Sequence, residues 1–205
     1  MKHMRSLTLL LAAGLLVMPL GGAAFAAEAD SVKPFAVGQY TVLPLLENRG
    51  QMKIEIFSGP LSPEARAALM PGGVAPSGTT VFLVRGPAGN ILIDTGWGAS
   101  GPGQNVLAGR LGSAGLTFAD IDLVLLTHRH SDHIGGLLKG TAPVFPKAKV
   151  LVSAPELKVW RDQVTPTAAP VNPNAPAVAP ADLAAAVLNA YDRRIETFEL
   201  TAPLP

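Results

Sequence analysis

Cysteine is absent from all 205 residues. That excludes disulfides, a lipid-attachment cysteine, thiolate metal ligation and a thiol nucleophile, so chemistry has to come from His, Asp, Glu, Ser or Lys. Aromatic residues make up only 5% of the chain and are scattered, which leaves no stacking platform for single-stranded nucleic acid. A dominant charge is missing as well. The 16 basic side chains face 15 acidic ones, without the concentrated basic footprint that nucleic-acid binding requires. Nor does any sequence fit G-x-S-x-G, the P-loop or H-E-x-x-H, which sets aside serine-hydrolase, nucleotide-phosphate and zincin chemistry.

What is present starts with a leader. "MKHMR" is a short basic start, Leu7 to Leu20 is an apolar run, and Ala24 and Ala26 flank Phe25 in an A-x-A pattern. This is the layout of a secretory signal peptide over residues 1–26, with cleavage after Ala26 and a periplasmic or secreted product. A membrane anchor is the weaker alternative, because Gly14 and Pro19 interrupt the run and it falls short of the roughly 20 residues that span a bilayer. Loss of Lys2 and Arg5 with the leader takes the basic count from 16 to 14 against 15 acids, a net charge near −1. With 48% apolar residues, residues 27–205 are enough for one domain with a core of its own.

Along that domain, Tyr40 to Leu46 and Met52 to Phe57 read as a hairpin joined by the turn-prone "ENRGQ". Ser62 as cap, Pro63 at the first helical position and Glu64 predict a short helix to Met70, which "PGGVAPSG" then breaks. Thr79 to Arg85 and Asn90 to Asp94 form a second hairpin across "GPAG". A helix is expected over Gln104 to Gly115 with Val106, Leu107 and Leu111 inward, followed by a strand at Leu123 to Leu126. The continuous apolar run in that strand suits coverage on both faces. Lys149 to Val152 reads as a strand and Ala154 to Asp162 as a helix containing Trp160. Five prolines make residues 165–180 an extended loop, after which Pro180 and Asp182 start a helix with Leu183, Val187, Leu188 and Tyr191 buried.

Chemistry concentrates in "LLTHRHSDHIGG", Leu125 to Gly136. His128, His130 and His133, three of the four histidines, fall there with Asp132 inside six consecutive positions. Residues two apart on an extended segment point the same way, so His128 and His130 can aim their imidazoles at one point. Asp132 and His133 follow where the chain turns into a helix beginning near Ile134, with Ser131 or Asp132 as its cap, and can face a second position beside the first. Two adjacent metal ions are the natural occupants. Gly135 and Gly136 remove side-chain bulk, and the site belongs at the carboxyl end of a strand, where open α/β folds bind ligands. Asp94, ending a strand before Gly96, reads first as a turn former, with support of a metal ligand as a second reading.

"ILIDTGWG" followed by "FADIDLVLLTHRHSDHIGGL" resembles the metallo-β-lactamase superfamily, from about Thr79 to Asp162. The resemblance implies an α/β (α+β) fold, an αββα sandwich with two mixed sheets between helical layers. It implies that His128 and His130 hold one metal, usually zinc, that Asp132 and His133 hold the other, and that Asp132 is also a catalytic proton shuttle. In that family a metal-bound hydroxide attacks a carbonyl or phosphorus centre. The long lead-in and "DTGWG" are similar to the exported lactonase and organophosphate-hydrolase branch, whose substrates are lactones, esters and phosphotriesters. The family also supplies a further histidine to each metal and a bridging aspartate, yet no histidine follows His133, and Asp162, Asp182 and Asp192 lie in or beside expected helices. The expectation is therefore the N-terminal portion of the sandwich, from a truncated chain, a fragment, or one completed by a partner such as a second copy. A non-catalytic remnant that binds metal weakly is the alternative. "GWGASG" also fits a dinucleotide fingerprint, but weakly, since Asp94 would face the pyrophosphate and Asp120 and Asp122 precede their strand.

Overall fold

The computed structural model describes residues 33–53, 55, 59, 61–101, 106–164, 172–179 and 181–201. The expected leader, and residues 165–171 and 180 of the proline-rich loop, lie outside the described residues. Seven strands make one mixed sheet: β1 (Phe35–Val37), β2 (Tyr40–Lys53), β3 (Val74–Gly86), β4 (Gly89–Ile93), β5 (Leu123–Leu126), β8 (Lys149–Ser153) and β9 (Ile195–Phe198), hydrogen-bonded in that order. β1 to β4 pair antiparallel with one another, whereas β4, β5, β8 and β9 pair in parallel. A two-stranded ribbon, β6 (Leu138–Lys139) with β7 (Ala142–Pro143), lies apart from it.

The expected hairpin at "ENRGQ" is not there. β2 runs straight through it and pairs with β3 from Thr41↔Arg85 to Lys53↔Val74, with one register shift between Leu46 and Asn48. The ladder to β3 satisfies backbone groups that a turn would have to cap locally, and long-range pairing outweighs a local turn preference. The same pairing turns the breaker Val74–Gly78 into strand. The Thr79 hairpin forms as expected, Phe82↔Ile93 to Gly86↔Gly89. β5 is buried in alternation, Val124 and Leu126 fully inward and Leu123 and Leu125 only partly covered. The expected two-sided coverage is thereby corrected. β9, "IETF", carries no apolar alternation that would have marked it, and β8 recruits it as a parallel neighbour.

Helices follow their local signals more closely. In α1 (Pro63–Leu69) the Ser62 hydroxyl accepts from Ala65 N–H at 3.2 Å, the cap the sequence suggests. α2 (Val106–Ser113) buries Leu107 and Leu111, and α4 (Ala154–Gln163), capped by Ser153, buries Leu157 and Trp160. α5 (Leu183–Tyr191) buries the expected stripe Leu183, Val187, Leu188 and Tyr191. These side chains form one core with Val81, Leu83, Leu92, Val124, Leu126, Val150 and Val152 of the sheet. Tyr191 pins it: the phenol donates to Leu137 C=O at 2.9 Å and accepts from Val144 and Phe145 N–H at 3.1 and 3.2 Å. No described helix is long and apolar enough to cross a membrane.

The register shift in β2 bulges Glu47 out of the ladder and turns it inward, to 9% exposure. Its carboxylate accepts Trp97 N–H at 2.7 Å, while the indole N–H of Trp97 donates to Thr79 Oγ1 at 3.0 Å. Gly96 has φ +71°, and a Cβ there would come within 1.9 Å of Glu47 Oε2, so the turn after β4 closes only on glycine. Burial pushes the Glu47 carboxyl above its ordinary value, and the Trp97 hydrogen bond only partly offsets this. A raised folded-state value means stability that is full below the unfolded value of 4.5 and is lost as pH rises through the folded one. Glu47→Gln keeps the acceptor for Trp97 N–H without the charge. Melting curves across pH 4 to 8 should therefore show the variant gaining on the parent as pH rises; parallel curves would mean that the buried charge has no such cost.

Candidate metal centre

β4 and β5 are parallel neighbours, paired Ile91↔Leu123 to Ile93↔Leu125, so Asp94 and Thr127 leave the sheet side by side at its carboxyl edge. Asp94 takes φ +61°, the one non-glycine residue with positive φ among those described, and its N–H bonds Leu125 C=O at 2.8 Å. It does organise the turn, as its position suggests. Its carboxylate does more. Oδ1 accepts Thr127 N–H at 2.8 Å, Oδ1 and Oδ2 accept the Thr127 hydroxyl at 3.0 and 2.8 Å, and Oδ2 lies 2.8 Å from His133 Nδ1.

These bonds fix the histidine tautomers. A carboxylate accepts, so His133 Nδ1 carries a proton, and in the neutral ring Nε2 is the nitrogen left with a lone pair. The Thr127 hydroxyl gives its proton to Asp94, so it can only accept from His128 Nδ1, 3.0 Å away, and His128 Nε2 is likewise left bare. Both Nε2 atoms face the cluster. His128 Nε2 is 3.0 Å from His130 Nδ1, and His133 Nε2 is 3.3 Å from Asp132 Oδ2. The rings of His128 and His133 are 4.0 Å apart between centroids, so the two pairs adjoin. Partial burial, with the neighbouring His133 and His130, pushes His128 below the usual histidine value and favours the neutral, ligating form. The hydrogen bond to Asp94 pushes His133 the other way.

The backbone around the motif is built by close contact. Thr95 donates from both N–H and hydroxyl to His133 C=O, at 2.8 and 2.9 Å. Gly136 N–H donates to Gly96 C=O at 3.1 Å, and a Cβ on Gly135 or Gly136 would come within 2.2 Å of Trp97 C=O or 2.0 Å of Thr95 C=O. The two glycines thus serve the approach of 95–98 to 133–136. α3 (Ser131–Ile134) starts three residues earlier than expected, and its cap position is His130 with no side-chain cap bond, so neither Ser131 nor Asp132 caps it. His130 itself is extended, φ −61° and ψ 149°, which lets His128 and His130 share a side as their spacing suggests.

Two nitrogen ligands of one tetrahedral zinc, each about 2.0–2.1 Å from the ion, sit roughly 3.3 Å apart. The separations of 3.0 Å between His128 Nε2 and His130 Nδ1 and 3.3 Å between His133 Nε2 and Asp132 Oδ2 are close to that bite. Each pair therefore fits as a two-ligand anchor, His128 with His130 and Asp132 with His133. A catalytic zinc takes three protein ligands, and no group of three or more His, Asp or Glu suited to one ion occurs among the described residues. Sequence reasoning passed over Thr127, for which the only signal was its place between the strand and the first histidine. It also missed Glu47, hidden in a stretch read as a turn.

Residues 74–169 match the family model of the metallo-β-lactamase superfamily. Metallo-β-lactamase domain-containing protein 1 of Mus musculus is 41% identical over 85 residues, which are 40% of this chain and 29% of that protein. Its Homo sapiens counterpart is 42% identical over 77 residues, 37% of this chain and 26% of that one. Among solved structures, the dizinc quorum-quenching lactonase AidC aligns with a TM-score of 0.64 at 22% identity, covering 84% of this chain and 62% of its own. The hydrolase AbOPH of the β-lactamase superfamily aligns with a TM-score of 0.66 at 25% identity, covering 83% and 62%. The chain carries the metallo-β-lactamase fold and spans 29% or less of these curated relatives and 62% of these two solved chains.

Asp94→Asn keeps one carbonyl oxygen for Thr127 and turns an NH₂ toward His133. The variant should fold at a cost of about 1–3 kcal/mol in urea denaturation, with His133 switched to the Nε2–H tautomer in ring ¹⁵N NMR. An unchanged His133 tautomer would show that Asp94 does not set it.

Proposed function

We propose that this chain supplies the histidine-rich part of a metal-dependent hydrolase centre that acts on lactones, esters or phosphotriesters. The observation that carries the reading is the placement of the Nε2 atoms of His128 and His133, 3.0 Å from His130 Nδ1 and 3.3 Å from Asp132 Oδ2, with the opposite ring nitrogens held by Thr127 and Asp94. Zinc is the metal this donor set suits, and when bound it brings the pKa of a coordinated water to about 7. His128 and His130 would hold one ion, and Asp132 and His133 the second, in a two-zinc centre. Asp132, 29% exposed, can also take up and release a proton at its free carboxylate oxygen. Asp94 and Thr127 hold the imidazoles in the ligating tautomer, so metal entry needs no ring flip.

The pairs of two favour completion by other groups, supplied by a further C-terminal portion or by a partner chain such as a second copy. In that arrangement the chain is active as the assembly and weakly metal-bound as a monomer. A leader over residues 1–26 would deliver it to the periplasm or the exterior, with a small molecule as substrate and neither nucleic acid nor membrane as partner.

Zinc analysis of the full chain after dialysis tests both parts. About two ions per chain, held by an oligomer that hydrolyses lactones or phosphotriesters, is the expected result, with His128→Ala lowering both activity and zinc content at least about 100-fold and about one ion, respectively. Zinc well below one per chain in every oligomeric state would leave only the weakly binding remnant. Export in a bacterial host should yield a product whose N-terminal sequence starts at Ala27; a retained Met1 would remove the leader.

A further inference from the structure

α4 carries an acidic side chain that neither the fold nor the metal pairs explain. Glu156 lies in its first turn, with its own N–H on the Ser153 hydroxyl at 3.4 Å. A glutamate at that position of an S-x-x-E start commonly reaches back to cap its own helix. Here one carboxylate oxygen, Oε1, accepts Arg129 N–H at 2.9 Å and the indole N–H of Trp160 at 2.7 Å. The Arg129 guanidinium in turn donates to the Gln163 side chain. Glu156, Trp160 and Gln163 are spaced i, i+4, i+7 and share one stripe of α4. That stripe grips the residue between His128 and His130 at both its backbone and its side chain.

The topology explains the meeting. β5 and β8 are parallel neighbours, Leu126↔Val152, so the loop leaving β5 passes over the start of the helix that leaves β8. Trp160 is fully buried, which gives the anchor a fixed base. An N–H held at Arg129 fixes the peptide plane joining it to His128, and alternation along the extended segment then sends both imidazoles to the opposite side. Asp94 and Thr127 reach His133 and His128, and no hydrogen bond from them to His130 is seen.

We propose that Glu156 is the positioning residue for the His128 and His130 pair, holding the H-x-H segment against α4 so that the two nitrogens stay at one bite. The idea rests on reading the pair as ligands of one metal ion, and the test separates the two. Three variants of the full chain are compared: Glu156→Ala, Glu156→Gln, whose carbonyl oxygen can serve both donors, and Leu157→Ala, which removes core packing from the same helix without touching the loop. In metal-free protein, ring ¹⁵N NMR should show His128 and His130 broadened or split in Glu156→Ala, His133 unchanged, and a return to the parent spectrum in Glu156→Gln. Zinc affinity by chelator competition should fall about 10- to 100-fold in Glu156→Ala and stay within about threefold of the parent in Glu156→Gln and in Leu157→Ala, although the last melts lower. Parent-like His128 and His130 signals in Glu156→Ala overturn the proposal, as does an equal loss of affinity in Leu157→Ala. If the parent takes up no zinc, the metal reading fails while the ring spectra still decide the anchor.

Discussion

The carboxylate of Asp94 is the constraint on which the rest of the site depends. It sits at 5% exposure, in a backbone conformation that costs of order 1 kcal/mol or more for a non-glycine residue, and it collects the N–H and hydroxyl of Thr127 and the ring of His133. Three donors on one buried charge outweigh the backbone cost, since hydrogen bonds to charged groups contribute about 1.5–3 kcal/mol each. Through them one acid ties β4 to β5, orients two imidazoles and sets the direction in which the H-x-H-x-D-H loop leaves the sheet.

A second layer of contacts keeps that geometry rigid. On one side, Glu47 and Thr79 hold Trp97, so the turn after Asp94 is fastened to β2 and β3. On the other, the backbone of 95–98 lies directly against 133–136, where glycine alone allows the approach. Glu156 and Trp160 secure the loop from the α4 side. The chain thereby presents two pairs of donors from a short stretch of sequence, each with a separation suited to one ion, and both at the edge of the sheet where the parallel strands end.

Much of this was legible in the sequence wherever a local signal was strong. The motif histidines, the Thr79 to Asp94 hairpin and the buried stripes of α2, α4 and α5 follow from spacing and periodicity, because a helix face or a two-residue alternation is set by chain geometry alone. The cap at Ser62 is equally local. β2 and β9 were not legible for the opposite reason. "ENRGQ" favours a turn until β3 offers it a ladder, and "IETF" has no pattern until β8 lies beside it.

By itself the sequence determined which residue types were available for chemistry and where they were concentrated: no thiols, and His128, His130, Asp132 and His133 within one short loop. Only the tertiary structure decided that Asp94, 39 residues from His133, fixes its tautomer, that Thr127 does the same for His128, and that Glu47 and Glu156 serve this region at all. Hydrogen bonds between distant segments depend on strand order and register, which a linear pattern does not encode. The identity of the donors was local, whereas their protonation and direction were set by neighbours that only folding brings into contact.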